Sequence, residues 1–306
     1  MSQTDSLKAK LQESGCLILC EEPMSRHTSF HIGGPAELFI TPANEAQAAQ
    51  AIAFCRALEV PVYIVGNGSN LLVSDEGLRG AVIAFSQPMG GITREGNTLL
   101  AQAGATLSQL CRFAQQQGLA GLEFAYGIPG SVGGAVYMNA GAYGGEMRDV
   151  TSFVRALDQA GCFVTIPAEQ AGFAYRTSRF QAEGQIVCAA DFALTPDAPE
   201  AIDMRMKDIL ARRVAKQPLE FPSAGSAFKR PQNGYAAALI EESGLKGFSV
   251  GGAQVSAKHA GFIINTGGAT CCDVLALLQA VKDAVYRRTG VLLEPEIKYL
   301  GKKEDN

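Results

Sequence analysis

Gly127-Ile128-Pro129-Gly130-Ser131-Val132-Gly133-Gly134-Ala135-Val136-Tyr137-Met138-Asn139-Ala140-Gly141-Ala142-Tyr143-Gly144-Gly145 is the stretch on which the fold turns. A flexible linker would be Gly/Ser-rich and polar, whereas these glycines are interleaved with Ile, Val, Ala, Tyr and Met. Two physical readings follow. Backbone without side chains can lie flat against a large planar ligand, or it can form a tightly packed glycine-rich helix-loop crossing. A second cluster in the same part of the chain, Gly66-Asn67-Gly68-Ser69-Asn70, tips the balance toward the ligand.

The second cluster follows the apolar strand Val62–Val65 and runs straight into another, Leu71–Val73. It lacks the third glycine and the following helix of a dinucleotide-binding turn, and it is not a Walker loop. Its unhindered N–H groups suit a pyrophosphate, although a simple tight turn is the commoner use of such a sequence.

Around these loops the pattern predicts an α+β chain. A short amphipathic helix and the apolar segment Cys16–Cys20 come first, then a strand over Ala36–Thr41. Asn44 with Gln47, and Thr106 with Gln109, carry the spacing of helix N-terminal capping boxes. Strands are expected at Ala81–Phe85 and Leu99–Ala103, a hairpin at Val150–Leu157 and Cys162–Ile166, and a further strand at Gln185–Leu194. After the Thr195–Pro199 linker, helices are expected at Glu200–Lys216, Tyr235–Ser243 and Asp273–Thr289, and a last strand at Leu292–Leu300. The expected division is an N-terminal helical segment (1–24), a first domain (25–200, with lobes 25–88 and 89–200), a second domain (201–290), and a C-terminal strand and charged tail (291–306) returning to the first lobe.

The chain has 306 residues, 47% hydrophobic and 18% charged, with a formal net charge of −4. That supports real cores and gives no basic footprint for nucleic acid. The eight cysteines form no C-x-x-C pair, and the three histidines have no metal-type spacing with them, so buried free thiols and no metal are expected. No secretory signal is evident and no apolar run approaches a bilayer-spanning length. A cytoplasmic location without membrane insertion is expected, and no obligate protein partner is evident.

Taken together, Arg26-His27-Thr28-Ser29-Phe30-His31-Ile32-Gly33-Gly34-Pro35-Ala36, the loop Gly66–Asn70 and the run Gly127–Gly145 resemble the UDP-N-acetylenolpyruvoylglucosamine reductase family, in consistent order over nearly the whole chain. The resemblance implies a two-lobed FAD-binding domain of the vanillyl-alcohol-oxidase type and a smaller α/β substrate-binding domain. It implies noncovalent FAD held by Gly66, Asn67, Gly68, Ser69 and Asn70 at the pyrophosphate, and by Gly127, Pro129, Gly130, Ser131, Gly133, Gly134 and Asn139 elsewhere. NADPH would be the hydride donor and UDP-N-acetylglucosamine enolpyruvate the substrate, using one cleft in turn.

The family's Tyr-Arg-x-Ser-x-Phe segment matches Tyr175-Arg176-Thr177-Ser178-Arg179-Phe180. By that match Arg176 would grip the substrate carboxylate and Tyr175 would contact substrate. In Gly225-Ser226-Ala227-Phe228, Ser226 would be the proton donor to carbon, with Ser223 nearby as an ordinary turn serine. Of the two acids in Glu294-Pro295-Glu296, the second, Glu296, would be the active one. Lys229, Lys258 and His259 would meet the diphosphate. The short interval between Arg179 and Gln185 leaves no room for the extra tyrosine-bearing loop, so the chain resembles the family's shorter form. Another FAD-dependent sugar or lactone oxidoreductase of this fold, or a nonredox nucleotide-sugar binding protein, are the competing readings.

Overall fold

The structure is a computed structural model that describes residues 3–232 and 234–302. The end of the expected charged tail, from residue 303, and the first two residues of the N-terminal segment lie outside the described residues. The chain forms two compact units. Of the described residues, the first holds 3–20, 38–67 and 80–213, and the second holds 21–37, 68–79, 214–232 and 234–302. A contiguous partition near residue 200 does not describe this grouping. The helix Pro199–Lys216 stays with the first unit as far as Arg213, because its Ile202 and Met206 are buried in that unit's core.

The first unit has two lobes. In one, the strands Leu17–Pro23, Pro35–Thr41, Leu78–Ala84 and Val62–Val65 form a sheet in that order, with residues 17–20, 38–41, 80–84 and 62–65 belonging to this unit. The helices Gln3–Glu13 and Glu45–Ala57 bury Leu7, Leu11, Ala48, Ala51, Ile52 and Cys55 in its core. Asn44 caps the second helix, its side chain accepting from the Gln47 N–H at 2.9 Å. In the other lobe, Phe163–Pro167, Thr151–Leu157, Ile186–Ala193, Thr98–Gln102 and Ile92–Glu95 form an antiparallel sheet in that order. The helix Leu107–Gln116 packs on it behind a complete Thr106–Gln109 capping box.

In the second unit, Ser223–Ser226, Phe262–Asn265, Ala253–Val255 and Ser249–Val250 make an antiparallel sheet. The helices Ala236–Glu242 and Cys271–Thr289 cover it with Ile240, Val274, Leu277, Val281 and Val285. The last strand is shorter than expected, spanning only Lys298–Leu300, and pairs in parallel with Leu71–Val73. Pro295 has no N–H to donate and makes only a single bridge to Phe228. Of the eight cysteines, Cys16, Cys55, Cys111, Cys188 and Cys271 are buried, whereas Cys20, Cys162 and Cys272 are exposed. Burial pushes the Cys111 and Cys188 thiols up to about 12. Among the described residues, no helix is long and apolar enough to cross a membrane.

Candidate active site

The first unit brings the two glycine clusters together. The Asn67 amide donates to the Pro129 carbonyl at 3.3 Å, and a Cβ at Gly66 would run into Ser131 Oγ. The Pro129–Gly134 segment is the N-terminus of a short helix, Val132–Met138, capped by the Ser131 hydroxyl, which accepts from the Gly134 N–H. Gly133 faces inward: a methyl there would sit 2.8 Å from the Ala103 Cβ. That glycine serves close helix-to-sheet packing, the very alternative to ligand contact that the sequence left open. Gly134 differs. It is exposed, and the nearest atom to an added methyl is Ser131 Oγ at 3.5 Å.

Asn139 ends that helix in the left-handed region, at φ 43°. It is fully buried, and its amide donates to Glu146 at 2.8 Å and the Ala174 carbonyl at 3.1 Å while accepting from the Arg148 N–H at 3.0 Å. Its side chain therefore ties the glycine run to the Tyr175–Arg176 turn. Arg176 too is left-handed, at φ 55°, a conformation that costs a residue with a Cβ and collects at functional sites. Its guanidinium donates to the Gly141 carbonyl at 3.2 Å and lies 5.1 Å from the exposed Tyr175 ring.

The second unit assembles a different set. Gly68 is buried against the His27 carbonyl, and its own carbonyl accepts from the Ser29 N–H at 3.3 Å. Thus the Arg26–Ala36 motif backs the Gly68–Asn70 part of the loop. Ser29 also reaches Ser223: its hydroxyl donates to the Ser223 carbonyl at 2.7 Å, and the Ser223 N–H donates to the Ser29 carbonyl at 3.1 Å. Between Ser223 and Ser226 the strand pairing is irregular, and Gly225 adopts φ 76°. Such a bulge re-aims the next side chain. Ser226 is exposed, and among the described residues its hydroxyl has no protein hydrogen-bond partner.

Glu296 sits beside this strand. Its N–H donates to the Ala227 carbonyl at 2.9 Å, and its carbonyl accepts from the Asn70 amide at 3.1 Å. Glu294 lies the other way, exposed and ion-paired with Lys229. Lys258 donates to the Val214 carbonyl at 2.8 Å and lies 3.6 Å from Glu220. His259 is half-buried, its Nδ1 accepting from the Gly261 N–H at 3.1 Å, which leaves the proton of the neutral ring on Nε2. Burial holds its pKa below the usual value.

The backbone donors fit a phosphorylated flavin. Among the described residues, the N–H groups of Gly68, Ser69 and Asn70 donate to no protein acceptor. Successive free N–H groups are what a diphosphate requires. Sequence reasoning passed over Arg213, which is buried against Gly127. A signal was present, since Ile202, Met206 and Arg213 follow the buried stripe of one helix.

Residues 36–166 match the model of an FAD-binding domain, so the fold is that of a flavoprotein oxidoreductase, an α+β chain with a two-lobed FAD-binding domain of the vanillyl-alcohol-oxidase type. Residues 217–300 match the C-terminal domain of UDP-N-acetylenolpyruvoylglucosamine reductase. The chain is 49% identical over 288 residues to the UDP-N-acetylenolpyruvoylglucosamine reductase of Clostridium botulinum (strain Okra), covering 94% of each. It is 48% identical to that of Caldanaerobacter subterraneus, covering 98% of each. The crystal structure of the Thermus caldophilus reductase superposes with a TM-score of 0.80 at 36% identity, over 94% of this chain and 99% of that one. The chain belongs to the UDP-N-acetylenolpyruvoylglucosamine reductase family.

Proposed function

We propose that this chain reduces UDP-N-acetylglucosamine enolpyruvate to UDP-N-acetylmuramate at the expense of NADPH, a cytoplasmic step in the synthesis of peptidoglycan precursors. Family membership over 94% of the chain is the observation that carries the reading. FAD, held by Gly66–Asn70 and the Gly127–Gly134 segment, would supply the two-electron hydride chemistry that links NADPH to the terminal methylene of the enolpyruvyl group.

The protein's own residues must then manage negative charge that builds on the neighbouring carbon and spreads into the substrate carboxylate. Arg176 is suited to hold that carboxylate, because a guanidinium is always charged and forks onto two oxygens. Its strained backbone and its bond to Gly141 fix the fork in advance, and preorganised donors are normally the largest electrostatic contribution to catalysis. Ser226 is suited to give the proton to carbon. A hydroxyl is a weak acid in water, but a carbanion-like centre held in contact is basic enough to take its proton. Glu296, whose N–H bonds the carbonyl of the residue after Ser226, is suited to hydrogen-bond the enolic acid as it forms. Gly66–Asn70 and the Gly127–Gly134 segment would hold the flavin nucleotide. Lys229, Lys258 and His259 would meet the UDP diphosphate, for which the lysines must exchange their present carboxylate partners. Tyr175 would contact substrate beside Arg176.

The test is direct. Purified protein should be yellow, should oxidise NADPH only when the enolpyruvyl substrate is added, and should yield UDP-N-acetylmuramate by mass spectrometry. A colourless preparation, or NADPH oxidation unaffected by that substrate, would refute the proposal.

A further inference from the structure

Arg213 stands apart from every other arginine of its helix. Arg205 pairs with Glu123 and Asp197, and Arg212 pairs with Asp208. Arg213 is 6% exposed, and among the described residues no carboxylate lies within ion-pairing distance of it. Its Nε is buried with no protein acceptor. One terminal nitrogen makes only a long bond, 3.5 Å, to the Phe124 carbonyl, and the guanidinium lies 5.0 Å from the Tyr143 ring centre. A buried cation without a counter-charge costs several kcal/mol by order of magnitude. Burial duly lowers its pKa, yet an arginine stays charged near neutrality.

Its placement gives that cost a purpose. The Arg213 side chain lies directly against Gly127, where a Cβ would come 3.0 Å from its Cδ and 3.4 Å from its Nε. Gly127 opens the segment assigned above to the flavin, and Tyr143, also left-handed at φ 51°, closes the same glycine-rich run. The guanidinium is thus wedged between the two ends of that run.

We propose that Arg213 is an anion-binding residue of the flavin site, with its counter-charge supplied by the bound flavin nucleotide. This inference rests on the functional reading above. Two parts of the ligand carry suitable anionic oxygens: the diphosphate, and the N1–C2=O edge of the isoalloxazine once it is reduced. The chemistry is the same in both, a delocalised anion received by a planar, desolvated cation.

The experiment uses full-length holoenzyme in three forms, wild type, Arg213→Lys and Arg213→Met. FAD release on dilution is followed by flavin fluorescence, the midpoint potential by dye equilibration, and secondary structure by far-ultraviolet circular dichroism. If the diphosphate is the partner, Arg213→Met releases oxidised FAD at concentrations at least tenfold higher than wild type. If the reduced ring is the partner, retention of oxidised FAD is unchanged. The potential then falls, about 30 mV for each tenfold loss of preference for the reduced form. In either case Arg213→Lys recovers part of the effect, and circular dichroism is unchanged at the temperature of measurement. The proposal is overturned if FAD retention and potential are both unaltered in Arg213→Met, as they would be were an ordered water the true partner. It is equally overturned if flavin is lost only together with secondary structure, or if Arg213→Lys behaves no better than Arg213→Met. NADPH turnover measured alongside separates the two readings: FAD bound normally with no substrate-dependent turnover would defeat the proposed function and leave the role of Arg213 standing.

Discussion

The Glu296 N–H donates to the Ala227 carbonyl at 2.9 Å, so the acid lies next to the residue that follows Ser226. The Asn70 amide holds the other side of the Glu296 peptide. Two residues earlier, Glu294 turns outward to Lys229. The choice between the two acids of Glu294-Pro295-Glu296 therefore becomes an experiment. Glu296→Gln should lower kcat by about 10²–10⁴, the usual span for a group that handles a proton, with little change in melting temperature. Glu294→Gln should leave kcat within about twofold, since an exposed pair contributes only about 0–1 kcal/mol. Steady-state NADPH oxidation distinguishes them, and the reverse pattern would exchange the assignments.

Gly133 and Gly134 are neighbours with opposite surroundings, and alanine should separate packing from ligand contact. Gly133→Ala forces a methyl against Ala103 and should destabilise the fold by about 1–3 kcal/mol, the cost of overpacking. Gly134→Ala lies within the helix Val132–Met138 with space around it. It should stabilise the fold by up to about 1 kcal/mol through helix propensity while weakening FAD retention. Urea unfolding and flavin fluorescence read the two effects separately. Unchanged FAD retention in Gly134→Ala would remove that glycine from the cofactor site.

Much of this was open to reading in the chain. The helix starts at Asn44 and Thr106 follow from local side-chain chemistry, and local chemistry survives folding. The helical nature of Val132–Met138 was not legible, because glycine in the sequence cannot tell a ligand's plane from a neighbouring strand. Only the position of Ala103 tells Gly133 from Gly134. Likewise, Asn139 reads as a polar residue available to a cofactor, and only the fold surrounds its amide with Glu146, Arg148 and Ala174. The discontinuous units escaped notice for a related reason: short segments such as 21–37 and 68–79 have no composition of their own and take their allegiance from distant partners.

Asp75 is one such distant partner. Its two carboxylate oxygens accept from the N–H groups of Cys271 and Cys272, at 2.8 and 3.1 Å. These are first-turn donors that the Thr270–Asp273 capping box leaves over. Asp75→Ala should cost about 1–2 kcal/mol, the upper range for a lost cap aided by the helix dipole. Urea unfolding should show a lower midpoint at unchanged slope, and a midpoint equal to wild type would contradict the role.

His259 makes a prediction about acid. Burial lowers its folded pKa below the ordinary value of 6.5, so between those two values the unfolded chain binds more protons than the folded one. Stability is then full above about 6.5 and falls as the pH drops through the window beneath it. His259→Gln should flatten that part of the melting-temperature profile. A slope identical to wild type would assign the acid sensitivity elsewhere.

The most direct test of the account is a stopped-flow measurement of the two flavin half-reactions in Ser226→Ala. NADPH should reduce the bound FAD at close to the wild-type rate, because no proton to carbon is needed there. Reoxidation by UDP-N-acetylglucosamine enolpyruvate should slow by about 10²–10⁴. Reoxidation at the wild-type rate would contradict the account, because the proton would then have another source.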